Sequence, residues 1–322
     1  MKIVATNTMI PLRAEVLDAF GPDVEYVEID GSSEEALLAG TADADALLVL
    51  GEHITRRVVE GLTRCRSIVR FGIGYDTLDV AAATEHGIWV SNVPDANFRE
   101  VAVHAIALAL AVQRRLPALD AGMRADGWAS SFAPGVHRPD DQVFGLWGIG
   151  RIGRRVAVMA KAIGYHVIAH DPALTTAIAE ELGVESVDRD ALLARSDILS
   201  LHVPLLESTK GILDSDSIAA MKPGSILVNV SRGGLIDEHA LAEALQSGHL
   251  FGAGIDAFLH EPTEPGNPLL ACETAILTPH AAHWSEESLA ETKRKVVEEA
   301  ARILRGEAPR SAVNHVERHR AA

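Results

Sequence analysis

V-F-G-L-W-G-I-G-R-I-G-R-R-V-A-V-M-A-K-A-I-G-Y-H-V-I-A-H-D, residues 143 to 171, is the stretch around which the rest of the chain is read. An apolar run from Val143 to Trp147 leads into Gly148, Gly150 and Gly153. A helix-period segment follows to Lys161, and a second apolar run from Tyr165 ends in Asp171. Strand, glycine turn, helix, strand and acid in that order form a dinucleotide-binding fingerprint. Gly148 permits the tight turn, Gly150 lets the backbone approach a pyrophosphate, and Gly153 lets the helix lie close to the sheet. The phosphates are then expected on the unpaired N–H groups at the helix start, where the dipole favours anions. The acid stands 18 residues beyond Gly153. A carboxylate there accepts hydrogen bonds from ribose hydroxyls and repels a 2′-phosphate, and the following P-A-L-T-T holds no arginine, so NAD is expected over NADP.

The chain has 322 residues, enough for two domains, and its 48% hydrophobic and 23% charged composition is that of a globular protein. A formal net charge of −16 argues against a nucleic-acid or anionic-membrane partner. An anionic ligand then depends on local arginines and backbone amides. Cys65 and Cys272 suit a reducing compartment and supply neither a disulfide framework nor a cysteine-based metal site. The opening K-I-V-A-T reads as a first strand, not as a targeting segment. Val101 to Val112, interrupted by His104, is too short to span a bilayer and is expected as a buried helix of a cytoplasmic protein.

Short β-rich runs alternate with helix-period segments from the start. Strands are expected at 2–6, 24–29, 44–50, 67–71 and 88–91, with helices around 12–20, 33–39, 55–62 and 79–85. Such alternation implies parallel strands with helical crossovers, a doubly wound α/β unit. A long helix is expected from Asn97 to Arg115. Leu116 to Asp141 then reads as a weakly periodic excursion, either mobile or packed on a partner subunit through Trp128 and Phe132. The fingerprint begins a second α/β series with further strands at 198–201, 225–229, 252–256 and 274–277, six in all. Ser285 to Leu304 closes the chain as a helix with Glu286 and Glu287 in its first turn and Arg302 and Arg305 near its end.

Four stretches fall in loops after strands, where open α/β sheets bind ligands. They are F-G-I-G-Y-D (71 to 76), N-V-S-R-G-G-L-I-D-E (229 to 238), D-A-F-L-H-E-P (256 to 262) and T-P-H-A-A-H-W (278 to 284). Arg232 suits bidentate capture of a 2-oxo acid, or it is a surface ion pair; its placement alone leaves both open. A neutral His280 imidazole is suited to take a hydroxyl proton as hydride leaves, with a carboxylate such as Glu261 stabilising the imidazolium. Spacing alone does not pair residues 19 apart.

Together these motifs resemble the D-isomer-specific 2-hydroxyacid dehydrogenase family over nearly the whole chain. The G-I-G-R-I-G fingerprint with Asp171, N-V-S-R-G-G-L-I-D-E-H-A-L, D-A-F-x-x-E-P and T-P-H-A-A fall in the family's order. The resemblance implies an α/β protein of two doubly wound parallel-sheet domains. One is a Rossmann NAD-binding domain over 99–283, the other a flavodoxin-like substrate domain built from 1–98 and 284–322, with the active site in the cleft, hinge candidates at the Asn97–Arg115 helix and near His283, and a homodimer formed through the NAD domain. Carried to matching positions, it implies that Arg232 binds and polarises a 2-oxo acid, that His280 is the general acid/base, and that Glu261 hydrogen-bonds His280. The cofactor contacts implied are Gly148, Gly150, Arg151, Ile152, Gly153, Asp171, His202, Val203, Pro204, Thr209, Val230, Ser231 and Asp256, the last holding the nicotinamide carboxamide. Gly72, Ile73 and Gly74 would take the substrate carboxylate through their backbone. Arg70 resembles an arginine of phosphoglycerate dehydrogenases and C-terminal binding proteins, and is either a second anion contact or a strand-end ion pair. The expected activity is NAD-dependent oxidation of a D-2-hydroxy acid or reduction of a 2-oxo acid. D-3-phosphoglycerate dehydrogenase and an NAD(H)-sensing regulator like the C-terminal binding proteins stand as alternatives. In the latter branch an aromatic residue follows T-P-H-A-A directly, where this chain has His283 and then Trp284.

Overall fold

A computed structural model describes residues 1–128 and 134–317. Phe132 lies outside them, and Trp128 is 83% exposed. The chain divides into two compact units, Met1–Asn97 with Ser285–Ala322, and Phe98–Trp284.

The first unit begins with β1 (Lys2–Ala5), α1 (Arg13–Phe20), β2 (Glu25–Glu28), α2 (Glu34–Thr41), β3 (Ala46–Val49), α3 (Arg56–Gly61), β4 (Ser67–Arg70), α4 (Val80–Glu85) and β5 (Trp89–Ser91). Its strands are all parallel, in the order β2-β1-β3-β4-β5, which is the flavodoxin-like winding. Both faces of the sheet are covered, so β3 reads as an uninterrupted buried run, Ala-Leu-Leu-Val, rather than an alternating one.

The second unit contains α5 (Phe98–Gln113), α6 (Leu116–Asp126), β6 (Val143–Trp147), α7 (Arg151–Ile163), β7 (His166–His170), α8 (Thr176–Leu182), β8 (Glu185–Ser186), α9 (Arg189–Arg195), β9 (Ile198–Leu201), α10 (Ser215–Ala219), β10 (Ile226–Asn229), α11 (Glu238–Gln246), β11 (Gly252–Ile255) and β12 (Ala275–Leu277). The parallel order β12-β11-β10-β9-β6-β7-β8 is the Rossmann winding with one strand added. Among the described residues seven strands stand where six were expected. The additional one, β8, is a two-residue exposed edge, too short for any periodicity to reveal. Phe144 and Leu146 face a core shared with α5 and α7, while Leu199, Leu201 and Leu241 pack on the opposite side. Burying one such side chain is worth about 1.5–3 kcal/mol. At the far edge β12 is only partly buried along its length.

The 116–141 stretch also differs from expectation, since Leu116–Asp126 forms α6. Arg115, at φ 52, breaks the path of α5, and Pro117 sits in the first turn, where its missing N–H costs nothing. No residue of α6 is buried, which explains why its apolar pattern is faint. The last helix, α12 (Glu286–Leu304), belongs to the first unit and starts at Ser285 in a reciprocal capping box with Ser288. Among the described residues no single helix is long and apolar enough to cross a membrane.

Candidate active site

Because every strand pair of the second unit is parallel, the strand ends lie along one edge, and the sequence-predicted residues follow one another across it. His280 lies beyond β12, Asp256 follows β11, Arg232 lies beyond β10, His202 follows β9, Gly148 follows β6 and Asp171 follows β7. The order of strands reverses between β9 and β6, the place where such sheets bind ligands.

Gly148 sits at φ 102, and a Cβ there would lie 2.6 Å from the His202 carbonyl oxygen. A Cβ on Gly153 would overlap the Gly148 carbonyl oxygen, so α7 rests directly on the turn. Gly150 has open space in front of it. Ser33, Thr55, Asp79, Thr175, Asp188, Asp214, Asp237 and Ser285 each cap a helix through a side-chain oxygen, whereas Gly150 offers α7 none. The start of α7 therefore combines amides without a side-chain cap, helix-dipole charge and room for an anion, a fit to a dinucleotide pyrophosphate. Arg151 is exposed at this start, while the Ile152 side chain packs on the core.

Asp171 holds the turn. Its Oδ2 accepts the Ile149 N–H at 2.8 Å and its Oδ1 the Ala173 N–H at 2.7 Å. His202 Nε2 is 2.9 Å from the Ser200 hydroxyl, Nδ1 is buried without a hydrogen-bond partner, and burial pulls the imidazole down to about 3. Val203 and Val230 pack on the core. Thr209 donates to the Pro204 carbonyl at 2.6 Å and Ser231 to the Leu201 carbonyl at 2.8 Å, so toward a ligand each hydroxyl has only lone pairs to offer.

At the other end of the edge, His280 Nδ1 lies 2.7 Å from Glu261 Oε2, with both side chains somewhat over a third exposed. Glu261 Oε1 accepts the Phe258 N–H at 2.9 Å, which fixes both carboxylate oxygens. Burial pushes the Glu261 carboxyl up, but the His280 hydrogen bond and charge, the Phe258 amide and the Arg232 charge together bring it below the usual carboxylate range. An ionised carboxylate only accepts, so Nδ1 carries the proton and the Nε2 lone pair of the neutral ring is the basic one.

Arg232 is half-buried and extended. Its Nη1 donates to the Ser231 carbonyl at 2.8 Å, and its own carbonyl accepts from Asn229 Nδ2 at 2.8 Å. Asn229 Oδ1 also accepts the Ser231 N–H at 3.0 Å, so this fully buried side chain folds the 229–232 turn. A Cβ on Gly233 would overlap the Phe258 backbone. The glycine is thus required for close approach of the Arg232 turn to the segment that carries Glu261. Neither Asn229 nor Gly233 was singled out from the sequence, although an Asn at a strand end before a turn is a usable signal.

Asp256 is 1% exposed, and its carboxylate is occupied by the Thr278 hydroxyl and the Ala281 and Ala282 amides. One lone pair on Oδ2 remains.

In the first unit, Gly72 (φ 96) follows Phe71 at the end of β4, with the Arg70 guanidinium folded over it. The Gly72 carbonyl accepts from Val93 N at 3.0 Å and the Ile73 carbonyl from Asn92 Nδ2 at 2.6 Å. In a trans peptide the next N–H points the opposite way, so the Ile73 and Gly74 amides aim away from these partners.

Comparison with known proteins gives the family. A family model described as "D-isomer specific 2-hydroxyacid dehydrogenase, NAD binding domain" matches residues 106–282. The chain is 39% identical over 304 residues to a D-3-phosphoglycerate dehydrogenase of Mycobacterium tuberculosis, covering 94% of this chain but only 57% of that protein. It is 37% identical over 300 residues to a glyoxylate reductase of Korarchaeum cryptofilum, covering 90% of each. Among solved structures, a glyoxylate reductase from Paecilomyes thermophila superposes with a TM-score of 0.86 at 31% identity, covering 97% of this chain and 98% of that one. With the family model matching more than half its length, the chain belongs to the D-isomer-specific 2-hydroxyacid dehydrogenase family.

Proposed function

We propose that the chain is an NAD-dependent oxidoreductase that interconverts a D-2-hydroxy acid and its 2-oxo acid, with His280 as acid/base. The observation that carries this reading is the 2.7 Å contact between His280 Nδ1 and Glu261, which directs the basic lone pair to Nε2. In oxidation, Nε2 takes the proton of the substrate hydroxyl, and Glu261 stabilises the imidazolium that forms; in reduction the same proton returns to the carbonyl oxygen. Arg232 faces the substrate's negative charge and polarises its carbonyl. When bound, NAD(H) supplies the hydride acceptor or donor. The start of α7 would hold its pyrophosphate and Asp171 its ribose, and the carboxylate at 171 favours NAD over NADP. On the first unit, the Ile73–Gly74 amides are the candidates for a carboxylate.

D-3-phosphoglycerate and glyoxylate enter as the substrate types named in the relatives. The deciding experiment is NADH oxidation with glyoxylate, hydroxypyruvate, 3-phosphohydroxypyruvate and branched 2-oxo acids, on wild type and His280→Asn. Turnover that falls about 10²–10⁴-fold in the variant, with NADH binding retained, is the expected result. Tight NADH binding without turnover of any acid would favour a dinucleotide sensor instead. A homodimer through the second unit is supported by Val103, Leu116, Met123 and Trp128, large apolar side chains exposed on or beside α5 and α6. Light scattering in solution tests it.

A further inference from the structure

Helix α5 lies along β11 in a register made possible by two glycines. A Cβ on Gly252 would meet Val112 at 2.6 Å, and one on Gly254 would meet Leu108 at 2.7 Å. Each four-residue step along the helix covers about 6 Å and each two-residue step along the strand about 6.6 Å, so the next pair in this register is His104 with Asp256. His104 Nε2 is indeed 3.6 Å from Asp256 Oδ1 and 3.0 Å from Thr278 Oγ1. Thr278 has one proton, and at 2.5 Å it goes to the Asp256 carboxylate. The threonine oxygen is therefore the acceptor and His104 Nε2–H the donor. Asp256 in turn accepts from the Ala281 and Ala282 amides at 2.8 and 3.0 Å, while its carbonyl takes the His280 N–H at 2.9 Å. His280 sits at φ 51, a left-handed conformation that is unfavourable for a non-glycine residue, so the turn needs such support.

We propose that His104 and Thr278 are positioning residues for His280, acting through Asp256. The chain of donors from His104 to Thr278 to the Asp256 carboxylate orients the oxygens that hold the two amides after His280, and so fixes where the ring stands. This rests on the function proposed above for His280.

The test compares Thr278→Val with Thr278→Ser, and His104→Phe with His104→Gln, the second of each pair retaining a donor. Amide hydrogen exchange at Ala281 and Ala282 is followed in the protein without cofactor, beside kcat, KM for NADH and the thermal midpoint. Thr278→Val is expected to speed exchange at these two amides about tenfold or more while β11 stays protected. Its kcat should fall about 10–100-fold with KM for NADH changed less than about twofold, and Thr278→Ser should recover most of both. Unchanged exchange and kcat in Thr278→Val, or equal losses in the valine and serine variants, would overturn the proposal. Should the valine variant not fold, the His104 pair carries the same comparison. If wild type reduces no 2-oxo acid, the proposed function fails while the exchange measurements still decide whether the turn is held in this way.

Discussion

Glu261 binds the Nδ1 side of His280, and that contact leaves the Nε2 lone pair of the neutral ring as the basic one. Replacing Glu261 with glutamine keeps an acceptor but removes the charge that stabilises the imidazolium. The variant is expected to lose about 10–100-fold in kcat, with KM for NADH within about twofold of wild type, in steady-state assays.

The Glu261 carboxyl lies below its ordinary value in the fold, against burial, because of His280, Phe258 and Arg232. A group with a lowered folded-state value adds stability above its unfolded value, about 4.3, and loses it as the pH falls through the folded one. The difference in thermal midpoint between wild type and Glu261→Gln should therefore be constant from neutral pH to about pH 5 and shrink below about pH 4.

His202 titrates in another window. Its imidazole is neutral in the fold, pulled from 6.5 to about 3 by burial. Here too the folded value is the lower one, so the stabilising contribution is complete above about pH 6.5 and declines as the pH falls toward about 3. Denaturant titrations of His202→Gln should show a flatter decline between these limits, by on the order of a few kcal/mol at the acid end.

Gly233→Ala would drive a methyl group into the Phe258 backbone, whereas Gly234→Ala would meet only the flexible Leu205 side chain. The first is expected to cost about 1–3 kcal/mol and, by displacing the Glu261 segment, most of kcat. The second should be milder in both. Urea unfolding and turnover, measured side by side, check this.

Asp171→Ala would release the Ile149 and Ala173 amides together with any ribose contact, so it disturbs the glycine turn itself. Asp171→Asn keeps an acceptor while removing the charge. It is expected to narrow the NAD/NADP preference in kcat/KM by about tenfold or more; an unchanged ratio would count against the role given to Asp171.

Much of this was legible in the sequence because the informative residues are local. The glycines of the fingerprint and Asp171 lie within one strand–helix–strand unit, and buried parallel strands such as β9 and β10 read as apolar runs. What escaped reading depends on contacts between distant segments. β8 is strand only because β7 pairs with it, and α6 is helix without a buried face. His104 was visible as a polar break in an apolar helix, but its partner Thr278 lies 174 residues away. Gly233 looked like part of a glycine pair, and only the approach of Phe258 shows what its missing side chain allows.

His280, the proposed acid/base, follows β12, a partly buried strand bonded on one side only among the described residues, whereas the fingerprint glycines follow β6, flanked on both sides and almost wholly buried. Edge strands open at lower free energy than central ones. On heating or in mild denaturant the molecule should therefore fail in stages, losing turnover while it still retains its coenzyme, because the two halves of its chemistry hang from structures of unequal ruggedness.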